Sequence, residues 1–167
     1  SSMDAVTRGT SAGLDIYLSI RAILIVLIAF VALLNGVVGT LPDVAGAPLT
    51  LERIAGWIFA PIAWLMGIPW AEAQTTGSLL GIKSILNEFI AFLQLADMPA
   101  GALSEHSRLI TIYAIAGFAN LSSIGIQISC IGAMAPERRN DLANLGFRAL
   151  VAATFAACMN GAIVGIV

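Results

Sequence analysis

The stretch Leu79-Leu80-Gly81-Ile82-Lys83-Ser84-Ile85-Leu86-Asn87-Glu88-Phe89-Ile90-Ala91-Phe92-Leu93 decides the fold. It is apolar enough to enter a bilayer, yet it places Lys83, Asn87 and Glu88 near the middle of a longer apolar run, residues 71–95. An ionisable group at the bilayer centre costs about 2.5 to 3.5 kcal/mol on insertion scales, so something has to compensate for it. Glu72 to Glu88 is about 24 Å of helix and Glu88 to Asp97 about 14 Å, whereas the hydrocarbon core is about 30 Å thick. Neither arm crosses alone. The run is therefore either one span with two charges at mid-depth, or a re-entrant hairpin over residues 71–97 whose tip, Leu86-Asn87-Glu88, reaches the midplane from one side.

The rest of the chain supports a membrane setting. Of 167 residues, 59% are hydrophobic and 11% charged, with a mean hydropathy of +0.93, where a soluble domain carries about 25% charge. A water-soluble globule is excluded. The formal net charge is −2, which leaves no basic surplus for phosphate backbones and excludes nucleic acid as a partner. Cys130 and Cys158 form no Cys-x-x-Cys pair and have no histidine beside them, so they read as reduced packing residues, with no metal site. No zinc-binding His-Glu-x-x-His, nucleophile elbow, P-loop or dinucleotide fingerprint occurs, and His106 alone cannot build a triad. No catalytic residue and no cofactor is expected. The opening Ser1-Ser2-Met3-Asp4 lacks a basic region before an apolar core, so no cleavable signal is visible and the chain reads as beginning part-way through a protein.

Residues 15–41 form a first transmembrane helix, interrupted by Arg21, which can snorkel to the headgroups, and by Asn35. After the loop Pro42 to Pro48, residues 49–70 hold Trp57, Trp64 and Trp70, all the tryptophans of the chain, and read as an interfacial helix bent at Pro61. A full span kinked at Pro61 is the alternative. Residues 106–134 and 142–167 make two further spans. The last is a packing helix rich in Ala152, Ala153, Ala156, Ala157, Gly161 and Gly165. Arg8 before the first span and Arg138 and Arg139 between the last two belong on the cytoplasmic side, and that parity holds if residues 71–97 enter and leave on one side. The expectation is an all-α polytopic membrane protein with transmembrane helices, a re-entrant hairpin and a discontinuous helix. Residues 1–70 form a scaffold part and residues 71–167 a transport part.

The centre of residues 106–134 reads Gly117-Phe118-Ala119-Asn120-Leu121-Ser122-Ser123-Ile124-Gly125. Asn120 lies about 18 Å of helix beyond Arg108, near the bilayer centre. Glycines around a polar cluster there fit a helix broken to line a cavity. They fit equally an intact helix whose Asn and Ser bond to neighbouring helices. Lys83 and Glu88 are five apart, off the spacing that pairs residues on one helix face, so a simple ion pair is disfavoured. A carboxylate with Asn87 beside it, a second amide and a hydroxyl in a dry site suit a neutral polyhydroxylated solute such as a sugar or ribose. A channel or a structural subunit held by polar interhelical packing is the rival class.

Three strings carry a resemblance: Leu86-Asn87-Glu88-Phe89-Ile90-Ala91-Phe92-Leu93, then Gly117-Phe118-Ala119-Asn120-Leu121-Ser122-Ser123-Ile124-Gly125-Ile126-Gln127, then Ala135-Pro136-Glu137-Arg138-Arg139. In order and spacing they resemble the C-terminal half of the concentrative nucleoside transporters. The resemblance implies a cation-coupled nucleoside symporter, driven by Na+ or H+, built from two inverted repeats and assembled as a homotrimer in the bacterial inner membrane. This chain looks like the second repeat plus the preceding scaffold span. Glu88, Asn120 and Ser123 match residues that hold ribose hydroxyls, Phe118 matches an aromatic lining the site, and Asn87 is counted with them. The family's first hairpin, which supplies base contacts and much of the sodium site, has no counterpart here, so the chain alone is not expected to transport. Ile82 and Ser129-Cys130 depart from the family's pattern, which bears on packing and leaves the ribose set intact.

Overall fold

The computed structural model describes residues 2–44 and 46–167; Ser1 and, in the Pro42–Pro48 loop, Ala45 lie outside the described residues. Among the described residues seven α-helices follow one another: α1 (Ser2–Val38), α2 (Leu51–Leu65), α3 (Trp70–Ile85), α4 (Glu88–Asp97), α5 (Glu105–Ile115), α6 (Leu121–Met134) and α7 (Arg139–Val164), the last preceded by a 3-10 turn, Pro136–Arg138. Among the described residues there is no strand, only an isolated bridge between Val44 and Ala47.

Four of these helices start where a short polar side chain stands in for the missing acceptor of the first turn. Thr50 accepts from the Arg53 amide (3.2 Å), Asn87 from Ile90 (2.9 Å), Ser104 from Ser107 (3.3 Å) and Asn120 from Ser123 (2.8 Å). Each satisfies an N–H that the helix cannot, which is why α2, α4, α5 and α6 begin where they do.

Two boundaries differ from those read from apolarity. Helix α1 begins at Ser2 rather than near residue 15, because Ala, Ser and Thr there are compatible with a helix and local bonds support it. Arg8 pairs with Asp4 at 3.0 Å, and the Thr7 and Thr10 hydroxyls donate to carbonyls one turn back. The segment 49–70 is not one helix. Helix α2 continues through Pro61 to Leu65, the chain then turns through Gly67 at φ +99°, and Trp70 opens α3. An L side chain rarely adopts that φ, so Gly67 permits the turn.

Helices α2 and α3 pack almost backbone to backbone. A Cβ at Gly77 would lie 2.5 Å from the Gly56 carbonyl oxygen and 2.9 Å from the Ala60 nitrogen, so glycine is what allows the approach. Ile68, Leu79, Leu80, Ile110 and Ile115 are wholly buried where α2, α3 and α5 meet. A polar seam runs along α3 and α5. At its mouth Glu72 accepts from the Ser104 amide (3.1 Å) and hydroxyl (3.0 Å), and deeper Thr76 and Thr111, both wholly buried, meet at 2.9 Å. The two helices therefore run in the same direction, from the mouth toward Leu86 and Ala116. Asn35 ties α1 to α2: its amide nitrogen donates to both oxygens of Glu52 at 3.0 Å, and its oxygen accepts from the Leu51 amide at 2.8 Å.

The outer faces are apolar. Ile25, Val26 and Leu33 of α1 and Phe147, Phe155 and Met159 of α7 are exposed, an arrangement that water disfavours and lipid does not. Residues Pro136–Val164, 29 in all, are long and apolar enough to cross a membrane.

Candidate functional site

Helix α3 ends at Ile85 and α4 starts at Glu88, so the helix is interrupted at Leu86-Asn87 and Glu88 stands in the first turn of α4. Helix α5 ends at Ile115 and α6 starts at Leu121, which leaves residues 116–120 as a non-helical break. The two interruptions meet. Asn120 donates from Nδ2 to Glu88 Oε2 at 3.1 Å across 32 residues of sequence.

Asn120 organises the break. Its Oδ1 accepts from the Ser123 amide at 2.8 Å and from the Ser122 hydroxyl at 2.6 Å, and the Ser123 hydroxyl lies 2.8 Å from the same oxygen and 2.6 Å from the Phe118 carbonyl. One side chain thus caps α6, orders two hydroxyls and holds the carboxylate of the facing helix pair. Asn120 is 3% exposed, so these bonds are made in a dry environment, where they are stronger than at a wet surface. Glu88 Oε1 and the Ser123 hydroxyl oxygen, whose proton is taken by Asn120 Oδ1 or the Phe118 carbonyl, remain as acceptors, and the second Nδ2 proton of Asn120 remains as a donor.

A cavity of about 140 Å³ opens beside the break between α6 and α7, lined by Phe118, Asn120, Ser123 and Gln127 together with apolar residues that include Ile124 and Leu150. Of the residues expected from sequence, Phe118, Asn120 and Ser123 line this cavity, and Phe118 presents its ring at 77% exposure. Glu88 does not line it and joins the group through Asn120. Asn87 is buried at 7% exposure, and its oxygen is engaged in capping α4. Two further polar residues belong here: Ser122, which donates to Asn120, and Gln127, which lines the cavity. Gln127 stands seven residues after Asn120, two turns on along one helix face, which is the pattern that could have found it.

Lys83 is wholly buried, and its Nζ has no hydrogen-bond partner among the described residues. Lys83 on α3 and Glu88 on α4 form no direct ion pair among the described residues. Gly117 gives the break room to lie there: a Cβ at that position would come within 2.9 Å of the Ala157 Cβ and 4.0 Å of Lys83 Nζ.

A family model described as the C-terminus of Na+-dependent nucleoside transporters matches residues 1–165. The chain belongs to that family. An uncharacterized transporter of Bacillus subtilis, YutK, is 42% identical over 164 residues, covering 98% of this chain and 40% of that protein. The nucleoside permease NupC of Helicobacter pylori is 34% identical over 171 residues, covering 99% and 41%. The mouse sodium/nucleoside cotransporter 1 is 33% identical over 181 residues, covering 98% and 28%. Among solved structures, a variant of CNTnw in its intermediate 2 state superposes with a TM-score of 0.90 at 37% identity, covering 99% of this chain and 42% of that one. CNTnw in an inward-facing substrate-bound state gives 0.82 at 38% identity, covering 99% and 41%. The chain spans about two fifths of the length of the two bacterial relatives and a smaller share of the mouse one. The matched family is one of transporters.

Proposed function

We propose that this chain is the C-terminal part of a cation-coupled nucleoside symporter and that it holds the ribose of its solute with Glu88, Asn120 and Ser123. The observation that carries the reading is the 3.1 Å bond from Asn120 to Glu88, which joins the turn of one helix pair to the break of another beside a cavity. Carboxylates accept from hydroxyls, the serine oxygen accepts as well and the amide donates, so vicinal ribose hydroxyls would find an acceptor for each proton and a donor for one lone pair. Phe118 supplies a face for the solute's ring, and Asn87 sets the start of α4 and with it the position of Glu88.

In this reading α3 and α4 form a re-entrant hairpin, and α5 and α6 are the halves of a discontinuous transmembrane helix, with non-helical backbone at depth only where it lines a cavity. The hairpin, the broken helix and α7 carry solute past a scaffold of α1 and α2 by alternating access, and the homotrimer contact lies on that scaffold. The names of the family and of the mouse relative favour Na+ over H+ as the coupling cation. The Arg138–Arg139 side faces the cytoplasm of a bacterial inner membrane.

The test is uptake of uridine and adenosine, each beside its 2′,3′-dideoxy analogue, by the full-length protein in proteoliposomes with and without a sodium gradient. A carrier gives saturable, gradient-dependent uptake that prefers the ribonucleoside. Flux that never saturates would point to a channel, and no flux with intact folding to a structural subunit.

A further inference from the structure

The chain has a single lysine, and it is the most deeply buried of its charged side chains. All seven arginines are exposed or half-buried, whereas Lys83 is 0% exposed. Leu79, Leu80 and Ile82 on α3 and Leu86 just beyond it are buried apolar residues, and its Nζ meets no acceptor among the described residues. As packing, this is a poor choice. Desolvating a lone ammonium costs several kcal/mol, and an apolar side chain of the same length would fill the space as well or better. The position supplies the reason for a charge. Lys83 lies in the last turn of α3, two residues before that helix ends. Its Nζ lies 4.0 Å from where a Cβ at Gly117 would stand, in the same five-residue break whose Asn120 holds the Glu88 carboxylate at 3.1 Å. The C-terminal end of α5 at Ile115 adds the negative end of its dipole on the same side.

We propose that Lys83 is the fixed counter-charge of the solute site: a positioning residue whose buried ammonium balances Glu88 and aligns its carboxylate against the break without forming a direct ion pair. Standing back from the carboxylate, the ammonium leaves the Glu88 oxygens available to Asn120 and to the solute. A contact ion pair would occupy them. The inference rests on the proposed ribose role of Glu88 and concerns how that carboxylate is kept charged and aimed.

The experiment compares the full-length protein with Lys83→Met, Glu88→Gln and the double variant, reading KM and maximal rate for uridine uptake and the melting temperature in detergent. Methionine matches the lysine stem in length and removes the charge. Lys83→Met is expected to raise KM by roughly tenfold, the low end of the coupling between close charges, while the melting temperature stays level or rises. In the Glu88→Gln background the same change is expected to move KM by less than about twofold, because its target is already neutral. A KM unchanged in Lys83→Met, or single effects that multiply in the double variant, would overturn the proposal. If Lys83→Met does not fold, the charge-balanced double variant is expected to fold, and its failure would show that the lysine serves structure alone. Glu88→Gln transporting and discriminating like the wild type would sink the ribose site itself, which separates that failure from this one.

Discussion

Replacing Asn120 with alanine removes at a stroke the cap of α6, the anchor of two serine hydroxyls and the donor to Glu88. The cap alone is worth about 1 kcal/mol. The bond to the carboxylate, discounted because Glu88 is half-buried, contributes about 1.5 kcal/mol, and the Ser122 hydroxyl, 8% exposed and left without its acceptor, costs about as much again. The total, about 4 kcal/mol, falls on one five-residue break. Asn120→Asp separates the parts: it keeps an oxygen for the Ser123 amide but sets a like charge where the donor to Glu88 stood. Hydrogen exchange of the full-length protein reads the cap, and uridine KM reads the site. Asn120→Ala is expected to speed exchange of the first-turn amides of α6 by at least about fivefold, the equivalent of the cap alone, and to raise KM. Asn120→Asp is expected to leave that exchange near wild type and still raise KM by tenfold or more, on the order of a lost charge-assisted bond. Unchanged exchange in the alanine variant, or unchanged KM in the aspartate variant, would refute the reasoning that one side chain does both jobs.

Two further perturbations test the frame that holds the site. Gly77→Val sets a side chain against the Gly56 carbonyl, 2.5 Å from its Cβ, and should lower stability by about 1 to 3 kcal/mol or more through overpacking, read as a fall in melting temperature that Gly77→Ala shows in milder form. In the buried Thr76–Thr111 pair, Thr111 also donates to the Ser107 carbonyl at 2.7 Å. Thr111→Val should therefore cost more than Thr76→Val, because it orphans the partner's hydroxyl, and the double valine should cost less than the two singles together; additive melting shifts would contradict the pairing.

Much of the site could be read from the sequence because its residues do local work as well. Asn87 and Asn120 each precede a helix and cap it, so the polar residues that interrupt the apolar runs are also the ones that mark where helices restart. What escaped was non-local. Helix α1 extends back to Ser2 because of bonds one turn apart, among residues whose composition is only moderately apolar. Trp70 reads as an interfacial anchor, yet it opens α3, since Gly67 and Pro69 turn the chain just before it. The Asn35–Glu52 bond spans 17 residues and two helices, and no periodicity announces it. The burial of Lys83 is likewise a property of α3, the break and α7 together: the sequence places a lysine in an apolar run, and only the fold shows that no described residue bonds to it.

The measurement that bears most directly on the account is equilibrium binding of uridine and 2′,3′-dideoxyuridine to the purified full-length protein and to its Glu88→Gln variant. The account predicts that wild type prefers uridine, that Glu88→Gln loses most of that preference by weakening uridine about tenfold or more, and that dideoxyuridine binds the two alike. A preference for uridine that survives intact in Glu88→Gln would contradict it.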